Sequence, residues 1–104
     1  MNKSDAEYLM LKKLEDNPHL TQRELSEELG LSLGKTNYVI KALVNKGWLK
    51  LNNFKRSDNK LGYIYLLTPK GITEKTILSQ KFLSRKSEEY NRLKEEIEKL
   101  KSEL

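Results

Sequence analysis

The chain has 104 residues, 37% of them hydrophobic and 34% charged, with a net charge of +5, so one compact domain plus an extension is its upper limit. It has no cysteine, which excludes disulfides and thiolate chemistry, and its single histidine makes a histidine-based metal site or catalytic base unexpected. No arrangement of catalytic side chains rises above chance. We therefore expect no metal, no cofactor and no enzymatic activity. No stretch approaches the roughly 20 apolar residues of a membrane span, and residues 1–10 lack the apolar core of a signal peptide, which indicates a soluble cytoplasmic protein.

Three short helices are predicted over about 5–16, 22–29 and 33–46. Ser4 and Thr21 are each followed three residues later by a glutamate, which is the spacing of a capping box at a helix start. An Asn-Pro pair ends the first helix, and a glycine ends each of the other two: Gly30 and Gly47. The short connections predict a compact helical trio.

The second and third helices, within residues 20–49, have the layout of a helix-turn-helix. Apolar side chains on both helices are spaced to meet in one core, which Thr36 should also face: Leu25, Leu29, Ile40, Leu43 and Val44. The opposite face of the third helix is polar and basic, beginning at its N-cap: Ser32, Gly34, Lys35, Asn37, Tyr38 and Lys41. Asparagine can bond adenine, lysine can bond guanine, and tyrosine can contact a thymine methyl or a phosphate, so this face is a candidate for the DNA major groove. The alternative is a solvated helix face whose lysines have no binding role.

From Trp48 the composition becomes that of strands, which predicts a hairpin over 48–67 with a polar tip. We expect Trp48 and Tyr63 to lie in its core rather than to stack on bases. Residues 35–60 carry seven basic groups against one acid, whereas the rest of the chain has 13 basic and 14 acidic groups. This concentration of positive charge is typical of a phosphate-binding surface. Three helices followed by a basic hairpin predict a winged helix-turn-helix.

A long helix is predicted to start at Thr68-Pro69 and to continue to Leu104, about 36 residues and roughly 54 Å. Apolar residues in its second half follow a heptad pattern and are the expected dimerisation residues: Leu83, Tyr90, Leu93, Ile97, Leu100 and Leu104. We therefore expect two parts, a DNA-binding domain over 1–68 and a coiled-coil helix over 69–104.

The charges beside this heptad pattern bear on the orientation of a helix pair. In a parallel pair, Glu89 would face Lys94 of the partner helix, and Glu96 would face Lys101. An antiparallel pair would tend to place like charges together, so the charges favour a parallel homodimer. The alternative is an amphipathic helix that folds back on its own or a partner's winged domain.

Residues 20–71 resemble the winged helix-turn-helix of MarR-type bacterial transcriptional regulators, through LTQRELSEELGLSLGKTNYVIKALVNKGWL and the LLTPKG exit from the wing. In its sequence, length and C-terminal tail, the chain most resembles the short subgroup of this family that is associated with exopolysaccharide gene clusters. The resemblance implies a dimeric, DNA-binding regulator of transcription. Typical members have additional helices at both ends, which form the dimer and a small-molecule pocket. Here we expect one short helix before the motif and one long helix after it. Near the wing tip, where the family usually has aspartate and arginine, Asp58 is followed by Lys60, with Arg56 nearby.

Two further groups of residues are candidate DNA contacts. Thr21 and Gln22 stand at the N-terminus of the second helix, where free backbone N–H groups favour phosphate, although Thr21 has a simpler role as a cap. The wing offers four polar or basic side chains: Lys55, Arg56, Asn59 and Lys60.

The sequence therefore predicts a mainly α protein with a small β-hairpin wing and a long C-terminal dimerisation helix. The expected function is sequence-specific binding of double-stranded DNA by a homodimer that regulates transcription, with an inverted repeat as its target. The alternative is a winged-helix module that binds a partner protein through its C-terminal helix.

Overall fold

Four helices and a two-stranded hairpin make up the computed structural model, which describes residues 1–55 and 61–104. In chain order the elements are α1 (Lys3–Asp16), α2 (Gln22–Leu29), α3 (Leu33–Asn45), β1 (Leu49–Lys55), β2 (Leu61–Leu67) and α4 (Pro69–Ser102). This order confirms the predicted winged helix-turn-helix followed by a long helix. No helix within the described ranges combines the length and apolarity that crossing a membrane requires.

The caps of α2 and α3 are those that the sequence predicts. The Thr21 hydroxyl accepts the backbone N–H of Glu24 at 3.0 Å, and the Glu24 carboxylate accepts that of Thr21 at 3.3 Å, which completes a capping box. Ser32 accepts the backbone N–H of Lys35 at 3.0 Å. Gly30 ends α2 at φ +67°, a left-handed conformation that favours glycine. Short-range signals therefore set the turn between α2 and α3.

The predicted capping box at Ser4 is wrong, because α1 begins earlier. The Asn2 side chain accepts the backbone N–H of Asp5 at 2.8 Å and caps the helix, so Ser4 lies inside its first turn. Glu7, the expected capping partner, is buried and pairs with Lys46 of the α3 C-cap, Oε2 to Nζ, at 2.5 Å. The Glu7 carboxylate therefore pairs with a cation far away in the sequence, and not with the helix cap that the local pattern predicts.

The core lies where α1, α2 and α3 meet and is closed by one residue each from β1 and α4. Its buried residues are Met10, Leu11, Leu14, Leu20, Leu25, Val39, Ile40, Leu43, Leu49 and Leu78, with the predicted Leu29 and Val44 partly buried against them. Thr36 is also fully buried, as expected, and its hydroxyl donates to the Ser32 carbonyl at 2.9 Å. Because that polar group is satisfied, α3 can turn a continuous face inward.

The wing hairpin is antiparallel and is anchored to the helices at its base. Leu49 pairs with Leu67, and Leu51 pairs with Tyr65. The Tyr65 backbone N–H also donates to the Pro18 carbonyl, between α1 and α2, at 3.4 Å. The base of the wing therefore has a fixed position relative to the start of α2.

The first half of α4 packs on α1. Leu78 is buried in the core, and the Phe82 ring lies 5.0 Å from that of Tyr8. Arg85 Nη2 lies 2.9 Å from Oδ1 of the buried Asp5, a close ion pair without an aligned hydrogen bond. These contacts hold the first half of the helix to the domain.

Beyond Arg85 the helix leaves the domain, and residues 86–104 are all exposed. The longest dimension of the molecule is accordingly 64 Å, against 27 and 21 Å for the other two. Residues 86–104 therefore extend away from the winged domain of their own chain.

Candidate nucleic-acid interface

Helix α3, the second helix of the helix-turn-helix, has one buried face and one open face. Val39 is buried with the predicted inward residues, although it was not among them. On the open face Tyr38 is 66% exposed, and four more of the predicted residues are exposed: Ser32, Gly34, Lys35 and Lys41. Leu33, which was not predicted, is an exposed apolar residue at the start of the helix. Helical periodicity alone was sufficient to place the predicted exposed residues, since burial of one face leaves the other to solvent.

The start of α3 is open to close approach. A Cβ atom added at Gly34 would meet none of the described atoms within 4 Å, apart from its chain neighbours and its own helix backbone. The first backbone N–H groups of a helix have no intrahelical acceptor, and together they favour a negatively charged partner. Lys35 Nζ lies 5.5 Å from the centre of the Tyr38 ring, so this cation is held beside the same opening. These features suit a phosphate or a base edge.

Asn37 differs from its neighbours because it is partly buried and hydrogen-bonded within the domain. Its Nδ2 donates to Gln22 Oε1 at 3.0 Å, and Gln22 Nε2 donates in turn to the Tyr65 hydroxyl at 3.1 Å. We refer to Asn37, Gln22 and Tyr65 as the amide relay. It joins α3, α2 and β2. Tyr65 was not among the predicted site residues, because a contact between residues 43 positions apart leaves no local signal.

Lys46 contributes less to the basic surface than its position in the sequence indicates. Its ammonium group pairs with buried Glu7 and lies 4.5 Å from the centre of the Trp48 ring. Lys41 and Lys50 are instead exposed. A cation that is already neutralised adds little to a phosphate-binding field. Among the side chains that the structure describes within residues 35–60, the exposed cations are therefore Lys35, Lys41 and Lys50.

The N-terminus of α2 presents the two remaining helix candidates. Thr21 is exposed and its hydroxyl is engaged in the capping box, while Gln22 is partly buried in the amide relay. Both side chains thus have structural partners, and a phosphate at this end would meet the backbone N–H groups first.

The wing is described only in part. Lys55 ends β1, whereas Arg56, Asn59 and Lys60 lie outside the described residues. Trp48 is partly buried against the core, as predicted, but Tyr63 is 58% exposed, which contradicts its predicted place in the hairpin core. Tyr63 lies on the same strand face as Tyr65, which is partly buried, but it is exposed two residues nearer the tip of the hairpin.

The apolar stripe of α4 is fully displayed. Each of its residues is at least 43% exposed: Leu83, Tyr90, Leu93, Ile97, Leu100 and Leu104. We refer to these six residues as the α4 stripe. Five of the six residues lie on α4, and Leu104 lies two residues past its end, whereas the sequence predicts a helix that continues to Leu104. Scattered exposed apolar residues need no explanation, but a row at heptad spacing on one helix is typical of helix pairing.

Comparison with known proteins agrees with this geometry. Residues 5–50 match the sequence pattern of a family described as winged helix-turn-helix DNA-binding. That segment contains α1, the helix-turn-helix and the start of β1. None of the curated proteins has a sequence that matches the chain.

Several solved structures share the fold. A MarR/EmrR family transcriptional regulator from Acinetobacter sp. ADP1 is 21% identical with a TM-score of 0.62, over 93% of this chain and 72% of that one. The PcaV transcriptional regulator from Streptomyces coelicolor is 18% identical with a TM-score of 0.60, over 95% and 79%. A MarR transcriptional regulator from Methanosarcina mazei Go1 is 21% identical with a TM-score of 0.51, over 95% and 78%. The chain therefore has a winged helix-turn-helix domain and a long C-terminal helix in the fold that these transcriptional regulators share.

Proposed function

We propose that the chain is a cytoplasmic, MarR-type transcriptional regulator that binds double-stranded DNA sequence-specifically as a homodimer. The observation that carries this proposal is the open face of α3, which is polar and basic while the opposite face is buried in the core. A helix packed in this way can enter a major groove without unfolding. The pattern match over residues 5–50 and the shared fold of known regulators support the same function.

In this proposal Lys35, Asn37, Tyr38 and Lys41 face the base edges, and Gly34 permits close approach of the helix. Backbone N–H groups near Ser32, Thr21 and Gln22 donate hydrogen bonds to phosphates. The wing residues Lys55, Arg56, Asn59 and Lys60 contact the neighbouring backbone or minor groove. The excess of positive charge in residues 35–60 favours such contacts with the DNA phosphates.

The homodimer would form through the α4 stripe, so that residues 1–68 bind DNA and residues 69–104 join the subunits. The support is a row of six exposed apolar residues, most of them on the part of α4 that leaves the domain. A second copy offers an identical row, and the Glu and Lys positions beside it favour a parallel pair. Twofold symmetry then predicts an inverted repeat, with half-sites one helical turn apart or a multiple of that. The resemblance to the exopolysaccharide-associated subgroup makes such gene clusters the first promoters to test.

The deciding experiment is selection of bound sequences from a random pool of DNA duplexes by the full chain. We expect a palindromic sequence to be enriched. The doubly substituted variant Lys35→Ala/Asn37→Ala should lose much of the preference for that sequence over random DNA, whereas Lys99→Ala, which removes an exposed lysine near the far end of α4, should keep it. Equal losses on both DNAs would mean that the two residues contact phosphate alone.

Salt dependence separates this function from the alternative of a partner-protein module. Binding through phosphates weakens steeply as salt increases, because counterions are released from the DNA. Retention on a duplex column that is lost between about 50 and 200 mM salt is the expected result. A chain that flows through such a column at low salt would contradict the proposal and favour the protein-binding alternative.

A further inference from the structure

The amide relay, Asn37, Gln22 and Tyr65, connects the candidate base-reading face with the wing. We propose that Gln22 and Tyr65 are positioning residues that set the base preference of Asn37, an inference that rests on the proposed function. Neither side chain has to touch the base that Asn37 reads. Their part is to hold the Asn37 amide in one orientation before DNA arrives.

The chemistry of an amide makes this orientation consequential. An asparagine side chain has one oxygen and one NH₂ group, and rotation by half a turn exchanges them with little steric cost. Bidentate recognition of adenine needs the oxygen toward N6 and an N–H toward N7. An amide that is free to rotate presents the opposite pattern part of the time, and this weakens discrimination.

The relay fixes the rotation. Gln22 Oε1 accepts from Asn37 Nδ2 at 3.0 Å, so the nitrogen of Asn37 lies toward α2. One N–H and the oxygen of Asn37 then remain for a partner, which is the pair of groups that an adenine edge requires. If the Asn37 amide alone rotated, its oxygen would face Gln22 Oε1, and two acceptors would meet without a proton between them.

Gln22 is itself an amide, and the relay couples its orientation to that of Asn37. To reverse the pattern, both amides would have to rotate together and the Tyr65 hydroxyl would have to change from acceptor to donor. The Tyr65 hydroxyl accepts from Gln22 Nε2 at 3.1 Å, and this leaves Oε1 of Gln22 for Asn37. Tyr65 is well suited as the fixed end of the relay, because its backbone pairs with Leu51 across the hairpin and donates to the Pro18 carbonyl at 3.4 Å. All three relay residues are partly buried, which limits competition from water.

A consequence is that the wing and the recognition helix do not act as independent contacts. Tyr65 lies on β2, in the strand that leads from the wing tip to α4. A shift of the hairpin base would move the hydroxyl, and the orientation of two amides depends on it. Base preference at the Asn37 position should therefore respond to a substitution in the wing strand.

The test uses the full chain and the sequence selected by the wild type. Asn37→Ala first identifies the base pair that Asn37 reads. Tyr65→Phe then removes one hydroxyl and keeps the ring, and we expect discrimination at that base pair to fall about threefold to tenfold, within the roughly 5- to 150-fold value of a good bidentate contact. Affinity for random DNA should stay within about twofold, since phosphate contacts are unchanged. In the Asn37→Ala background Tyr65→Phe should have no further effect on discrimination.

Tyr8→Phe is the matched control. It removes a hydroxyl from another partly buried tyrosine, whose ring lies against Phe82 on the α1–α4 side of the domain. Discrimination should be unchanged in this variant. A readout without DNA is the side-chain amide signal of Asn37 in the NMR spectrum of the ¹⁵N-labelled protein, which should shift in Tyr65→Phe and not in Tyr8→Phe.

The outcomes separate the inference from the function beneath it. If the wild type selects no sequence, the proposed function is overturned, and the role in base preference falls with it. If the wild type is selective and Asn37→Ala abolishes its preference at one base pair, but Tyr65→Phe leaves that preference intact, the inference alone is overturned. Equal responses of the Asn37 amide signals to Tyr65→Phe and Tyr8→Phe would also overturn the inference alone.

Discussion

The two halves of α4 belong to one uninterrupted helix but have different surroundings. In residues 69–85, Gly71 and Leu78 are buried, the Phe82 ring lies on Tyr8, and Arg85 pairs with Asp5. In residues 86–104, every residue is exposed, including most of the α4 stripe. The first half completes its contacts within its own chain, whereas the second half presents apolar side chains without an intrachain partner.

Helix length and helix role are therefore set by different features of the sequence. The run of helix-forming residues without a stop from Pro69 to Ser102 accounts for the length. The role depends on which face carries apolar residues, and that face changes along the helix, from the row that contains Leu78 and Phe82 to the α4 stripe. A helix that changes its apolar face can pack on α1 and still offer a second surface.

The largest expected effect comes from placing charge in the α4 stripe. Leu93→Glu/Leu100→Glu would put four carboxylates into the seam of the proposed dimer, where desolvation and mutual repulsion oppose pairing. We expect the dimer dissociation constant to rise about 1,000-fold, a loss of ~4 kcal/mol, measured by analytical ultracentrifugation over a range of concentrations. The domain itself should remain folded, because the α1–α4 contacts are untouched.

The control for this variant is Asn91→Glu/Ser102→Glu, which adds the same charge to exposed positions beside the stripe. It should keep the wild-type dissociation constant within a few-fold. If Leu93→Glu/Leu100→Glu still sediments as a dimer, the subunits join through another surface.

The next effect comes from the first half of α4, at Gly71. A Cβ atom there would lie 2.9 Å from the Trp48 carbonyl carbon and closer still to its oxygen, so backbone must move. Alanine would otherwise favour the helix by ~1 kcal/mol, which the clash outweighs. We expect Gly71→Ala to lower the free energy of unfolding by about 2–4 kcal/mol, measured by urea denaturation with Trp48 fluorescence at equal protein concentrations.

Gly34→Ala provides the comparison for Gly71→Ala, since its Cβ would meet no described neighbour outside its own helix within 4 Å. Its free energy of unfolding should be unchanged or higher by about 0.5–1 kcal/mol. Equal stabilities of the two variants would contradict the close docking of α4 on Trp48.

The parts of this structure that could be predicted from sequence are those with local causes. Thr21, Gly30, Ser32 and Gly47 fix helix ends through neighbours a few residues away, and periodicity placed the open face of α3. The wrong prediction for the start of α1 involves a contact between residues far apart in the sequence. Glu7 left its expected cap for Lys46, 39 positions away, and no local pattern could indicate that competition.

The candidate site divides in the same way. Lys35, Tyr38 and Lys41 are exposed as expected, because one helical face must be open when the other is buried. Asn37 lies on that face too, yet its amide is held by Gln22 and, through it, by Tyr65. The position of a residue on a helix follows from its sequence, but its side-chain partners follow from tertiary packing.

A moderate effect should distinguish the two halves of α4 through one arginine in each. Arg85→Ala leaves the buried Asp5 carboxylate without its cation, and we expect a loss of about 1–2 kcal/mol in the free energy of unfolding. Arg92 is exposed in the second half, and Arg92→Ala should change stability by less than ~0.5 kcal/mol. Thermal and urea unfolding of both variants at matched concentration check this. A larger loss for Arg92→Ala would mean that the second half carries stability which its exposure does not indicate.

The smallest effect concerns two lysines near the proposed DNA-binding face, one exposed and one paired within the domain. Lys41 is exposed on α3, whereas Lys46 is paired with Glu7 and lies over the Trp48 ring. Lys41→Ala should weaken DNA binding by ~1 kcal/mol or less and lower the slope of log affinity against log salt by about 1, because one exposed positive charge at the proposed interface is lost and fewer counterions are released from the DNA. Lys46→Ala should instead lower the free energy of unfolding and leave that slope unchanged, since its charge is neutralised within the domain. Titrations of labelled duplex at four or more salt concentrations measure both slopes. If Lys46→Ala lowers the slope as much as Lys41→Ala, the ion pair with Glu7 opens when DNA binds, and both lysines then belong to the interface.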